Sequence, residues 1–188
     1  MLIVPLQMFI TPFSEKGNAE PSTWSVSDAT DALRVANSIW MAANVQFHLR
    51  QPCVADTPLD LPKGSRTHEE VVLDVLSYRR PAGTWANVFL INKVPNLTAG
   101  GLSYLNSDPE AACFVQQYDD ARASGRALAH EFGHLLDLDH VVVDEQKPAD
   151  VKKHLYNLMV EGLTTGTNLE PSQIKKIKAG KLSRKFGG

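Results

Sequence analysis

The chain has only 2 cysteines among its 188 residues. Two cysteines cannot build the disulfide framework by which small secreted domains replace a core, so stability must come from buried apolar surface. Cys113 lies in an apolar run and reads as a buried thiol, and a Cys53–Cys113 bridge would matter only in an oxidising compartment. Long hydrophobic runs are missing as well. No stretch approaches the roughly 18 apolar residues that span a bilayer. The apolar start, Met1 to Ile10, has no basic region ahead of it and no small-residue cleavage site behind it, so it reads as a first strand rather than a signal peptide. The expectation is a protein that stays in the cytoplasm, or is exported by a non-classical route or as part of a larger protein. Charge of one sign is also scarce. Lys+Arg 19 against Asp+Glu 21 leaves a net −2, too little for bulk attraction to nucleic acid or to a membrane. The cluster Lys175, Lys176, Lys178, Lys181, Arg184 and Lys185 reads as the solvated face of a last helix.

What is present suits one domain with a sizeable core. The hydrophobic fraction is 43%, and no repeat, low-complexity segment or linker interrupts the chain. Residues 2–13 suggest a strand. Ser27 can cap a helix running to about 43, with Leu33, Ala36, Ile39 or Trp40, and Ala43 as its apolar stripe. Residues 44–50 alternate as a strand, with His48 outward. Thr67-His68-Glu69-Glu70 is a capping box opening a helix that buries Val71, Val72, Val75 and Leu76. Strands follow at 88–94, 102–105 and 112–117, and a last helix spans 171–179. This order predicts an α/β (α+β) layer with a mixed sheet.

The stretch His130-Glu131-Phe132-Gly133-His134-Leu135-Leu136-Asp137-Leu138-Asp139-His140 carries the chemistry. On a helix, His130 and His134 stand one turn apart on one face and can share a tetrahedral zinc. Glu131 reaches the same side without ligating, where it can take a proton from water. Ser124 is a candidate N-cap, and Leu128, Leu135 and Leu136 supply the apolar face. His140 can return to the metal only if the chain turns sharply after His134. Asp139 and His154 are the competing ligands if it does not. His48, His68 and His154 read as solvated surface residues, because none has a second ligand at helical or strand spacing.

Together with Asn157-Leu158-Met159, this stretch resembles the metzincin clan of zinc peptidases, in the manner of its matrixin-like and reprolysin-like members, whose motif reads HExxHxxGxxH ahead of a methionine turn. The resemblance covers most of the chain. It implies a catalytic domain over 1–188, with a twisted mixed sheet, an active-site helix and a Met-turn. The upper part would be about 1–140, the lower part about 141–188, and a substrate cleft would lie between them. It implies His130, His134 and His140 as ligands of one catalytic Zn2+, Glu131 as general base and Met159 as the floor of the metal site. It implies a hydrolase, specifically a metalloprotease cutting peptide bonds internally in a peptide or protein held extended. Gly101, Leu102 and Ser103 would form the strand that pairs with that peptide, with Gly100-Gly101 allowing close approach, and Leu163 and Thr164 would line the specificity pocket. The protein is expected to act as a monomer, without nucleic acid or membrane partners, and no run of oxygen ligands suggests structural calcium.

Two positions depart from the clan. Asp137 stands where the motif has Gly, at a point where the chain must leave the helix through a left-handed conformation; Asp is among the non-Gly residues that tolerate it. Glu161 stands where astacin-like and serralysin-like members have a metal-binding Tyr, so no tyrosine switch is expected. Two alternatives remain open. One is a zinc hydrolase of another HExxH clan, with Glu145, Glu161 or Glu170 as third ligand. The other is a non-catalytic, zinc-stabilised binding or inhibitory module of the same fold.

Overall fold

The apolar start of the chain becomes the middle of a sheet. In the computed structural model, β1 (Leu2–Thr11) pairs in parallel with β4 (Val45–Leu49) on one side and with β7 (Ala86–Ile91) on the other. The sheet continues through β9 (Ala112–Gln116), parallel to β7, and ends at β8 (Gly101–Tyr104), antiparallel to β9. Its order is β4-β1-β7-β9-β8, with the short β5 (Val54–Ala55) joining β1 beyond the end of β4. A small second sheet holds β2 (Phe13–Glu15), β3 (Asn18–Ala19) and β6 (Leu59–Asp60). The structure describes residues 1–15, 18–19, 24–55, 59–60, 86–92, 100–104, 112–118, 120–161 and 166–180. The expected helix at 67–76, with His68, and the pocket residues Leu163 and Thr164 lie outside the described residues.

The central strands read as continuous apolar runs because both their faces are covered. All six residues of β7 and all five of β9 are buried. Two helices cover one face. The first, α1 (Val26–Trp40), is capped by Ser25 in a reciprocal pair with Asp28, two residues earlier than the expected Ser27. It ends at Trp40 rather than Ala43, in a tight turn over Met41–Ala43 that leaves Asn44 at φ 59. The second, α2 (Ala121–Leu135), lies against α1. Gly125 sets how closely they approach: a Cβ there would sit 2.5 Å from Val35 Cβ and 2.8 Å from the Ala32 carbonyl oxygen.

The helix pair is locked to the sheet by aromatic residues. Phe47 stacks on Phe132 with ring centroids 3.9 Å apart, and Trp40 meets Phe47 edge-on. The Trp40 indole donates to the Ala129 carbonyl at 3.1 Å. On the outer side of β4, the Asn37 side chain bonds both Phe47 N–H and Phe47 C=O, at 2.8 and 2.9 Å, and so stands in for a neighbouring strand.

After α2 the chain forms α3 (Pro148–His154), where only a connection was expected, and α4 (Pro171–Ala179), as expected. No helix among the described residues is long and apolar enough to cross a membrane.

Candidate metal centre

The helix that carries the motif starts at Asp120, whose side chain accepts from Ala123 N–H. Ser124 is therefore inside the helix rather than its cap. It is buried, and its hydroxyl accepts from Tyr118 N–H at 3.2 Å. At the other end, Leu138 N–H bonds Gly133 C=O and Asp137 N–H bonds His134 C=O, both at 2.9 Å, with Asp137 at φ 70. This is the paired closure by which a helix stops on a left-handed residue. Asp137 takes the role expected of it, and Leu138 is buried beneath the turn. The turn redirects the chain so that His140 comes back to the two helical histidines.

The three Nε2 atoms converge. His130 and His140 are 3.1 Å apart at Nε2, His134 and His130 3.2 Å, and His134 and His140 3.0 Å. His130 Nδ1 lies 2.7 Å from Leu158 O and His134 Nδ1 lies 2.8 Å from Leu138 O. A carbonyl can only accept, so both Nδ1 atoms carry the proton and both Nε2 atoms present a lone pair. Burial depresses the pKa of His130 to about 4 and lowers that of His134, which keeps both rings neutral at pH 7. Lone pairs facing one another at such distances repel unless a cation lies between them. Tetrahedral zinc with bonds of about 2.0–2.1 Å needs nitrogens a little over 3 Å apart, so the donor set fits one such ion. Among the described residues, His130, His134 and His140 are the group of side chains able to share a metal. His140 Nδ1 has a carboxylate nearby, Glu161 Oε2 at 3.8 Å.

The competing ligands are engaged elsewhere. Asp139 pairs with Lys176 of α4 at 2.6 Å. His154 corrects the reading of a solvated residue. It is 7% exposed, with Nδ1 2.8 Å from Glu170 Oε1 and Nε2 3.5 Å from Asp150 Oδ1. The close Glu170 contact is badly angled for a hydrogen bond. The unforeseen α3 is the reason for the burial, because it turns His154 inward while Lys152 and Lys153 stay exposed.

Glu131 is 5% exposed, and burial raises its pKa to about 8 against the opposing pull of a hydrogen bond from Ser103. Ser103 Oγ donates to Glu131 Oε2 at 2.6 Å. Gly101 is packed against the same carboxyl: a Cβ there would lie 2.6 Å from Oε1 and 2.7 Å from Cγ. At Gly100 the space for a Cβ is taken by the Tyr118 hydroxyl. The two glycines thus admit the protein's own Glu131 and Tyr118. The Ser103 side chain is turned to Glu131, and Leu102 is half-buried between them on β8.

Met159 is fully buried against Gly133, where a Cβ would meet its sulfur. Its N–H is held by Asn157 Oδ1 at 2.8 Å, and its C=O accepts from Val141 N–H at 2.8 Å. The grip of Ser103 on Glu131, the position of Tyr118 and the carbonyls of Leu138 and Leu158 had no signal in the sequence, since each depends on where the backbone goes. Both cysteines are free; Cys113 is buried, and burial raises its pKa well above the ordinary thiol value.

No family model matches the chain, and no curated protein matches it in sequence. Solved structures do match it in shape. The chain is similar to metalloproteinase-II from Bacteroides fragilis at 16% identity and a TM-score of 0.53, covering 95% of this chain and 53% of that one. It is also similar to a structure described as a chaperone-substrate complex, at 15% identity and a TM-score of 0.56, covering 97% of this chain and 35% of that one. The chain therefore spans about half the length of the first and about a third of the second. At such identities the likeness concerns the fold alone: a mixed α/β fold shared with a metalloproteinase, carrying three histidines able to hold a metal ion.

Proposed function

We propose that the protein is a zinc-dependent endopeptidase of the metzincin type, with His130, His134 and His140 as metal ligands, Glu131 as general base and Met159 as the floor of the site. The observation that carries this reading is the convergence of three Nε2 atoms, 3.0 to 3.2 Å apart, on the helix that also carries a buried carboxyl next to a ligand. When bound, the metal supplies Lewis acidity, making water nucleophilic at neutral pH and offsetting charge on the scissile carbonyl. Glu131 takes the proton that water gives up and passes it to the leaving amine. In the metal-free protein burial raises the Glu131 pKa to about 8, and a cation held by the neighbouring histidines would favour the carboxylate form that the base role needs. Ser103 keeps the carboxyl pointed by holding one of its oxygens.

The substrate is a peptide or protein segment held extended. Among the described residues, β8 is bonded on one side only, to β9; Gln116 N–H bonds Gly100 C=O, so by the alternation of an antiparallel ladder Leu102 turns its main chain to β9 while Gly101 and Ser103 offer theirs for pairing. Such pairing gives affinity with little sequence selectivity. Selectivity falls to side-chain pockets, for which Leu163 and Thr164 are the candidates. The working unit is residues 1–188 as one monomeric domain, the part up to about 140 above the cleft and the remainder below it.

The test is digestion of a mixed peptide library by zinc-loaded protein, with Glu131→Gln alongside. Cleavage by the wild type, and none by a variant that still binds one zinc, is the expected result. A zinc-loaded wild type that cuts nothing overturns the reading in favour of a zinc-stabilised binding module. Loss of zinc by Glu131→Gln overturns the role given to the carboxyl.

A further inference from the structure

Behind the histidines lies a buried polar cluster. Asn157 is 4% exposed and Gln173 is 9% exposed, so each must find its hydrogen bonds inside the protein. Asn157 finds all of them. Its Nδ2 donates to Glu170 Oε1 and to Gln173 Oε1, each at 3.1 Å. Its Oδ1 accepts from Gln173 Nε2 at 3.2 Å and from Met159 N–H at 2.8 Å. Two donors and two acceptor positions are all that a carboxamide has. Gln173 is held in turn, because its Oε1 also accepts from Glu170 N–H at 2.8 Å.

The bond to Met159 N–H has a particular consequence. That N–H and the Leu158 carbonyl belong to one planar peptide unit. Asn157 Oδ1 grips the unit at its N–H, and His130 Nδ1 is bonded to the same unit at its C=O, 2.7 Å away. The direction of the Leu158 carbonyl decides which nitrogen of His130 is protonated and where its Nε2 points.

We propose that Asn157 is a positioning residue for the metal site: its side chain fixes the plane of the Leu158–Met159 peptide and thereby the tautomer and ring direction of His130. The inference rests on the reading of the three histidines as metal ligands. Partners that orient a ligating histidine typically contribute about 10–100-fold to metal affinity. Gln173 and Glu170 extend the device to the start of α4.

Three readouts on the full chain test this: the His130 tautomer by 15N NMR of metal-free protein, zinc affinity by chelator competition, and melting temperature. Asn157→Ala is expected to mix the two His130 tautomers and to weaken zinc binding by about tenfold or more. Asn157→Asp keeps an oxygen for Met159 N–H but loses both donors and sets a negative charge against Glu170. It is expected to melt at least as early as Asn157→Ala, yet to bind zinc within a few-fold of wild type. If affinity instead follows melting temperature across the two variants, Asn157 is only structural and the proposal fails. It fails equally if Asn157→Ala keeps a single Nδ1–H tautomer and wild-type affinity. Should Asn157→Ala not fold, Gln173→Met removes two of the four bonds that hold the Asn157 amide: mixed tautomers support the proposal, and an unchanged ring overturns it. A wild type with the Nδ1–H tautomer that binds no zinc would refute the metal reading, while the tautomers of the variants would still judge the role of Asn157.

Discussion

Glu131 occupies a place where a carboxylate is costly. Its folded pKa is raised from 4.5 to about 8, so folding favours the protonated form. The stability this gives is full below the unfolded pKa and is lost as pH rises towards 8. His130 runs the opposite way. Its pKa is lowered from 6.5 to about 4, so its contribution is full above 6.5 and is lost as pH falls towards 4. Replacing Glu131 by Gln cancels the first effect and keeps the second. In chelator-treated protein, Glu131→Gln should match the wild type near pH 4.5 and exceed it increasingly towards pH 8, by a few kcal/mol at the upper end. Thermal melts of both proteins across that range measure the difference. A flat difference would mean that Glu131 titrates as it does in water.

Helix packing governs what the elements tolerate. A Cβ at Gly125 would press on Val35 and on the Ala32 backbone carbonyl, which cannot rotate away. Alanine is the better helix former by about 1 kcal/mol, but overpacking a close helix contact costs about 1–3 kcal/mol. Gly125→Ala should therefore lower the urea midpoint, and a rise would show that α1 and α2 can separate freely. Much at this scale was legible in advance. The strand alternation around Phe47, the bounds of α4 and the left-handed Asp137 all follow from local chemistry. The helix caps are less legible. Ser27 and Ser124 are good capping residues, but Ser25 and Asp120 sit where the backbone starts to turn, and sequence offers several candidates within a few residues of one another. His154 gives no such signal: Asp150 stands one turn before it on an unexpected helix, and Glu170 reaches it only through tertiary folding.

In the whole molecule, the metal would join two stretches, α2 and the segment behind its closing turn. A ligand that binds only the folded state stabilises it by mass action, by about 4 kcal/mol at a thousandfold excess over its dissociation constant. Zinc should accordingly raise the melting temperature, and His140→Ala should lose most of that rise. An undiminished rise in His140→Ala would point to a carboxylate such as Glu161 as the third ligand instead. The motif made the three histidines legible, but nothing in the sequence indicated which backbone carbonyls would hold their rings.

The two margins of the sheet are built differently. At β4, Asn37 answers the main chain of Phe47. At β8, no strand answers among the described residues, and its Gly101 and Ser103 touch Glu131 directly. Under the proposed function, an extended chain that paired with β8 would lie against the strand that holds Glu131, and docking would itself bring it into line for cutting.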